Sequence, residues 1–451
     1  MSDQDFSVDW SERLRTDFLV VGAGAMGMAF ADVILTEDPS ATITLVDRRP
    51  RPGGHWNDAY PFVALHQPAA FYGLNSTELG TGGADLASGP EIVAYYHRAM
   101  QRWIAGGRVR FFPSSEVRAD DDGTTSIVSI LDASRSTVVD VTRRLVDAAF
   151  MNVQVPSTHG PRYDVDPAVT IVPPNGLARI DRAWDGYTIV GAGKTGIDSI
   201  LFLLDRGVDP DAIRWIVPND SWLWDRPGIQ PGSATAGVLD LLDAVGRTAS
   251  ATEAFRWLET KGSIHRIDRD RTPTKWRCAT VDPAEVTALR RVADVVRMGR
   301  VAAIGPDRIT LEEGTVASRP GHLHVDCTAD GLAKLPPRPI FGPDRITLQS
   351  IFMCQQVFSA AILARLTLLG TTDEKRTAMA AVVPHPETPD DLGPCVVASA
   401  ENVLKLHRHI PLWLRRSRLN FMHHDSIPDY LTGAVRAQRT VITARRSLAR
   451  Q

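Results

Sequence analysis

Asp17-Phe18-Leu19-Val20-Val21-Gly22-Ala23-Gly24-Ala25-Met26-Gly27 runs from an apolar stretch into three glycines at G-x-G-x-x-G spacing. The apolar stretch reads as a buried strand, the glycines as a tight turn, and 28–35 as the helix that the turn opens. A second apolar segment, 41–46, ends at an acid, Asp47, 25 residues beyond Gly22. Each position has a mechanical reason. Gly22 makes the turn, Gly24 lets backbone approach a pyrophosphate at the helix N-terminus, Gly27 lets helix meet strand, and Asp47 accepts ribose hydroxyls. Ala25 and Met26 inside the turn and Arg48 beyond the acid complete this set of candidate contacts, with Val117 in the strand region downstream.

The pattern recurs at Tyr187-Thr188-Ile189-Val190-Gly191-Ala192-Gly193-Lys194-Thr195-Gly196, followed by an expected helix over 197–204 and strand over 213–217. Two such units predict an α/β chain with two Rossmann-like dinucleotide-binding domains, the second inserted into the first. Gly-Ala-Gly-Lys-Thr-Gly is not a phosphate-binding P-loop, because that loop needs a glycine at position 188, where Thr188 stands. An NADPH site calls for a cation at the end of the following strand, yet none occurs before Arg226. Asp220 there suits a plain ribose and hence NADH, while Lys194 can approach phosphate. The alternative is a second fold that has lost its nucleotide and survives as scaffold.

Around these units the sequence predicts a helix over 91–104, an antiparallel meander at 109–112, 125–131 and 136–141, and a linker over 156–177. Helices over 236–245, 252–260 and 283–296, with a polar loop at 263–275, read as a substrate cap. Strands at 301–304, 308–311 and 323–325 are expected to return the chain to the first domain, with helices after them. The expected domains are 1–175, 176–322 with a helical insertion at about 228–298, and 323–451. A formal charge of −3 and 23% charged residues create no field that would recruit nucleic acid or an anionic membrane. Segment 351–370 is apolar but broken by Gln355, Gln356 and Arg365, which predicts a buried helix and no membrane span. The first 16 residues lack the apolar core of a signal peptide, so the expected location is the cytoplasm. Cys278, Cys327, Cys354 and Cys395 form no C-x-x-C and are expected to be buried, reduced thiols.

Arg51-Pro52-Gly53-Gly54-His55-Trp56 resembles the flavin-containing and Baeyer–Villiger monooxygenase superfamily, whose first site is followed by an acid and a Gly-Gly-x-Trp turn along FAD. The resemblance continues in Tyr60-Pro61 and in His66-Gln67-Pro68, which stands where flavin-containing monooxygenases carry an Asn on the flavin; Gln67 keeps the amide. Val325-Asp326-Cys327-Thr328-Ala329-Asp330-Gly331 looks like the family's Ala-Thr-Gly strand and turn, which would bring Asp326 and Gly331 to the flavin. The Phe-x-Gly-x-x-x-His fingerprint is missing; Thr158-His-Gly-Pro-Arg-Tyr163 and Ile171-Val-Pro-Pro174 occupy that stretch.

The resemblance implies an FAD-dependent, NAD(P)H-dependent monooxygenase that inserts one oxygen atom of O₂ into a small organic molecule through a flavin C4a-(hydro)peroxide. Gln67 and His66 are then the candidate catalytic residues, and homo-oligomers are compatible with such an enzyme. A flavin dehydrogenase or oxidase without NAD(P)H, and a non-catalytic redox sensor, are the competing readings. Trp222, Trp224, Trp257 and Trp276 either line an aromatic pocket or fill core. His407, His409, His423, His424 and Asp425 are interleaved with arginines at no diagnostic ligand spacing, so no metal is expected.

Overall fold

The structure is a computed structural model and describes residues 6, 8, 10–11, 13–82, 85–120, 123–329, 331–332 and 334–448. The strand β1 (Arg13–Val21), helix α1 (Ala25–Glu37) and strand β2 (Ile43–Val46) form the N-terminal βαβ unit, with Val20 opposite Leu45 in a parallel pair. Residues 26–35 of α1 are all buried, since the helix is held between the sheet and a late helix over Gln356–Thr367. Helix α2 (Gly89–Ala105) starts at a capping box in which Ser88 and Glu91 satisfy each other's backbone N–H.

Four strands follow: β3 (Val109–Phe112), β4 (Ser115–Ala119), β5 (Thr125–Ser129) and β6 (Ser136–Asp147). The sheet order is β3-β2-β1-β6-β5-β4. Only β4, β5 and β6 make the meander. The segment 109–112 lies parallel to β2, and β6 runs on past 141 to pair parallel with β1 as far as Asp147.

The second unit repeats this plan with β7 (Ile171–Val172), β8 (Gly186–Val190), α3 (Lys194–Asp205) and β9 (Ile213–Ile216). A small sheet then joins β10 (Ser221–Asp225) to β11 (Lys275–Val281) and to Ile264–His265, so the polar loop expected at 263–275 contains a strand and leads into another. Helices Ala234–Arg247 and Ala251–Thr260 pack on it around Trp222, Phe255 and Trp276.

The single helix expected over 283–296 is corrected to a helix, Pro283–Leu289, and a strand, β12 (Asp294–Val296). A capping box at Asp282 and Glu285 starts the helix, and β-branched Val295 and Val296 suit the parallel edge beside β9. Strand β13 (His322–Asp326) belongs to the second sheet, ordered β12-β9-β8-β13-β7, and not to the first as expected. It pairs with β8 from His322 opposite Gly186 to Asp326 opposite Val190, and a Cβ on Gly186 would sit 2.4 Å from the His322 ring. The return to the first sheet comes later, at β14 (Arg345–Thr347), parallel to β6. It leads into α4 (Gln356–Thr367), the buried helix behind α1.

The expectation of four reduced thiols is also corrected. Cys278 on β11 and Cys354 just before α4 form a disulfide across 76 residues, while Cys327 and Cys395 are free and buried. Sequence spacing carries no signal for a pair that only the packing of the insertion against the first domain brings together. Among the described residues no helix is long and apolar enough to cross a membrane.

Candidate active site

The first glycine turn is built by short range necessity. Gly22 has φ +104°, and its N–H donates to the Val46 carbonyl at 2.7 Å. A Cβ on Gly27 would lie 1.9 Å from the Gly22 carbonyl oxygen, so only glycine lets α1 pack on its own turn. Gly24 begins α1 with no side chain capping it, leaving the first N–H groups of the helix for an anion. The Gly53-Gly54 turn closes on it: Gly53 N–H donates to the Ala23 carbonyl at 2.9 Å, and a Cβ on Gly54 would lie 2.9 Å from Gly24 Cα. Asp47 is buried and accepts from the N–H of Ala23 at 2.7 Å and of Arg49 at 2.8 Å. Burial raises its pKa against the lowering effect of those two N–H groups. Arg48 is exposed at the strand end. Val117 packs at the rim of the cluster of Leu14, Leu19 and Phe112, two residues beyond Ser115, whose N–H donates to the Asp47 carbonyl.

The second turn repeats the backbone bonds that join the first to its neighbouring strands. Gly191 has φ +118° and donates to the Ile216 carbonyl, and a Cβ on Gly196 would lie 2.2 Å from the Gly191 carbonyl oxygen. Ala148 N–H donates to Val21 in the first unit, and Cys327 N–H donates to Val190 in the second, so Cys327 is the counterpart of Ala148. By the same logic Val217 stands where Asp47 stands, and the second turn has no acid at its strand end. Asp220 does not replace it, because both its oxygens are bonded to Arg297, at 2.9 and 3.2 Å. Arg226 is buried and paired with Glu285 at 2.6 Å. Gly193 begins α3 uncapped and opens on space, with nothing within 4 Å of a Cβ there.

A cavity of about 750 Å³ lies between the two units. The first contributes His55, Trp56, Tyr60, His66 and Gln67; the second contributes Gly193, Lys194, Thr195 and Asp198. Trp224 on β10 walls it, whereas Trp222, at its border, is fully buried with Trp276 in the insertion core and Trp257 packs beside that core. Trp56 donates its indole N–H to the Tyr72 hydroxyl at 2.7 Å, which fixes the ring. Burial, reinforced by Arg49, lowers the His55 pKa to about 4, and burial with Lys194 and Arg226 lowers that of His66 to about 3. Both imidazoles are therefore neutral near pH 7. His66 Nδ1 is buried with no partner among the described residues. Beside it, Gln355 donates to the Gln67 amide oxygen at 2.8 Å and keeps its own buried Oε1 without a partner.

The structure thus gathers His55, Trp56, His66, Gln67, Gly193, Lys194, Thr195 and Gly331 on one cavity. It leaves Gly22, Gly24, Gly27 and Asp47 on the first turn behind Gly54, and puts Asp326 on the second sheet, where it accepts from Tyr163 at 3.2 Å and from Thr328. Gly331 accepts from Gln154 N–H through its carbonyl.

Sequence reasoning missed the tie between the units. Lys194 pairs with Asp198 one helical turn on, and Tyr60 donates to the other Asp198 oxygen at 2.7 Å. Tyr60→Phe is expected to cost about 2 kcal/mol, the range for a hydrogen bond to a charged group, read as a lower urea midpoint at unchanged m-value. An unshifted midpoint would show that the bond carries nothing. Gln355 had a signal, as a polar break in an apolar helix.

Residues 20–68 match a family model described as an NAD(P)-binding Rossmann-like domain. Over 430 residues the chain is 41% identical to "Uncharacterized protein Rv2000" of Mycobacterium tuberculosis (strain ATCC 25618 / H37Rv) and to "Uncharacterized protein Mb2023" of Mycobacterium bovis (strain ATCC BAA-935 / AF2122/97). These alignments cover 91% of this chain and 79% of each relative. Among solved structures, the polycyclic ketone monooxygenase from Thermothelomyces thermophila is similar with a TM-score of 0.52 at 12% identity, covering 98% of this chain and 92% of that one. An oxidized steroid monooxygenase bound to NADP is similar with a TM-score of 0.52 at 14% identity, covering 96% and 97%. At that identity the likeness is one of fold. The chain belongs to the family of Rv2000 and Mb2023, and it has the two-unit Rossmann-like fold of the polycyclic ketone and steroid monooxygenase structures.

Proposed function

We propose that this protein is an NAD(P)H-dependent flavin monooxygenase, placing one atom of O₂ on a small organic substrate and releasing the other as water. One observation carries the reading: a single cavity is lined by His55 and Trp56, from the Gly53-Gly54 turn that closes on the first glycine turn, and by Gly193, Lys194 and Thr195 of the second. The residues fit a dinucleotide at each turn. Both helices start at uncapped glycines; Gly54 has no room for a side chain against Gly24, and Gly193 faces open space. When bound there, FAD supplies acceptance of hydride from the nicotinamide and activation of oxygen.

The chain's own part is to bind, orient and keep water out. Gly24 and the N-terminus of α1 take the pyrophosphate, with Asp47 holding the turn in shape and offering its remaining lone pairs to the ribose. Gln67, held by the Gln355 amide, presents its own amide to a ring edge that both donates and accepts, with His66 beside it on the cavity wall. The N-terminus of α4 lies behind Gln355 and Gln356 and favours negative charge at that edge. With its pKa near 3, His66 stays neutral and acts by hydrogen bonding, not by carrying a proton at pH 7. Trp224, backed by the buried Trp222, gives the substrate an apolar wall.

A second reading, an oxidase or dehydrogenase reduced by its own substrate, is favoured by Val217 where a nucleotide-reading acid or cation belongs. Mixing purified protein with NADH or NADPH under argon and then admitting air separates the two. Bleaching of the flavin by one nucleotide, then an oxygen-dependent change with substrate consumed, supports the monooxygenase. Bleaching by neither nucleotide, but by a substrate, supports the oxidase. A protein that purifies colourless and takes up no FAD refutes both.

A further inference from the structure

We propose that Cys278 and Cys354 form a redox-active disulfide in the cavity wall, a second acceptor for electrons delivered there. The bridge joins β11 of the insertion to the segment leading into α4 of the first domain, and both of its cysteines line the cavity. It is placed there by unusual backbone. A regular strand turns alternate side chains to one face, yet Arg277, Cys278, Ala279 and Thr280 all line the cavity in succession. The cause is a slip in pairing, Trp222 opposite Trp276 but Trp224 opposite Thr280, with Cys278 at φ +58°. On the other arm Met353, just before Cys354, has φ +34°. Non-glycine residues held at positive φ cost free energy and cluster where a site demands them. Here one lies on each arm of the same bridge.

The surroundings suit a cystine that opens. Thr280 donates to the His66 carbonyl, and Cys354 directly precedes Gln355, so the bridge sits against the His66, Gln67 and Gln355 cluster. Arg277 and Lys334 share the cavity wall and, with Lys275, donate to the Glu387 carboxylate. Cys327 and Cys395 form no disulfide, and burial pushes each of their thiols up to about 12.

The step balances with the electron donor of the proposed function, on which it rests. NAD(P)H yields a hydride and becomes NAD(P)⁺; its two electrons break the S–S bond, and the two sulfurs take the hydride's hydrogen and one proton from solvent to become two thiols.

The test counts thiols and electrons. Holoprotein is titrated anaerobically with dithionite and methyl viologen, and free thiols are alkylated in denaturant and located by mass spectrometry before and after. Expected are two labels before, on Cys327 and Cys395, four after, and an uptake of two electrons per chain beyond those the flavin takes. Cys278→Ser and Cys354→Ser should each lose the extra uptake and show three labels from the start. Wild-type protein that takes no extra electrons, with Cys278 and Cys354 unlabelled after titration, overturns the proposal, as do four labels at the start. Nucleotide in place of dithionite separates this failure from that of the function: bleaching with no new thiols overturns the redox disulfide alone. Absence of bleaching by NADH or NADPH, beside four labels from dithionite, overturns the NAD(P)H-dependent oxygenase alone.

Discussion

Gly27→Ala is expected to empty the first turn of flavin and to cost about 3 kcal/mol of stability, the upper end for forced overpacking. The added methyl would sit 1.9 Å from the Gly22 carbonyl oxygen and 3.2 Å from the Ala148 Cβ, and neither neighbour is the free end of a flexible side chain. Either α1 moves off the sheet or the turn opens; both displace the uncapped N–H groups at Gly24. The flavin-to-protein absorbance ratio should fall at least tenfold, and the urea midpoint should drop with it. Gly193→Ala is the contrasting variant. Its methyl meets nothing within 4 Å, so the fold and flavin content should stay while the affinity for nicotinamide nucleotide falls, because the space it enters is the space a pyrophosphate needs. A Gly27→Ala protein that remains yellow and fully stable would refute the assignment of the first turn.

Both glycine turns were legible in the sequence because their chemistry is local: strand, turn and helix follow within about eleven residues, and Gly27 and Gly196 each answer to a clash with the first glycine's carbonyl in the same segment. The placement of β13 was not, since a run such as Leu323, His324 and Val325 fits any parallel sheet and only its partner decides which. The disulfide and the Tyr60–Asp198 bond were hidden for the same reason, each joining positions 76 or more residues apart. Strand β11 was overlooked where polar residues lead into it, and Trp276, expected either on a pocket or in core, lies in core. The pairing of Asp220 with Arg297 removed the one sequence argument for NADH, because the cation comes from just beyond a strand 77 residues away.

Acid should unfold this protein earlier than its carboxylates alone would dictate. His66, held to about 3, and His324, held to about 4 by burial and by the neighbouring His322, both prefer the neutral form when folded. Their folded pKa values lie below the ordinary 6.5, so the stability they contribute is complete above pH 6.5 and is lost as pH falls toward those values. Each such group gives a slope of about 1.4 kcal/mol per pH unit, and with His55, also held to about 4, the three remove on the order of 7 kcal/mol between pH 6.5 and 4.5. Glu387 and Asp38, held near 2, give up their share mainly below that window. Asp32 and Asp47, whose pKa values burial raises, act in the opposite sense and offset part of the loss. His324 isolates the effect, being 4% exposed on β13 and away from the cavity. His324→Leu keeps the bulk apolar and removes the proton, so the plot of unfolding free energy against pH should lose about 1.4 kcal/mol per unit of slope between pH 6 and 4.5. Wild-type and variant curves that run parallel through that interval would show that His324 binds its proton as readily folded as unfolded.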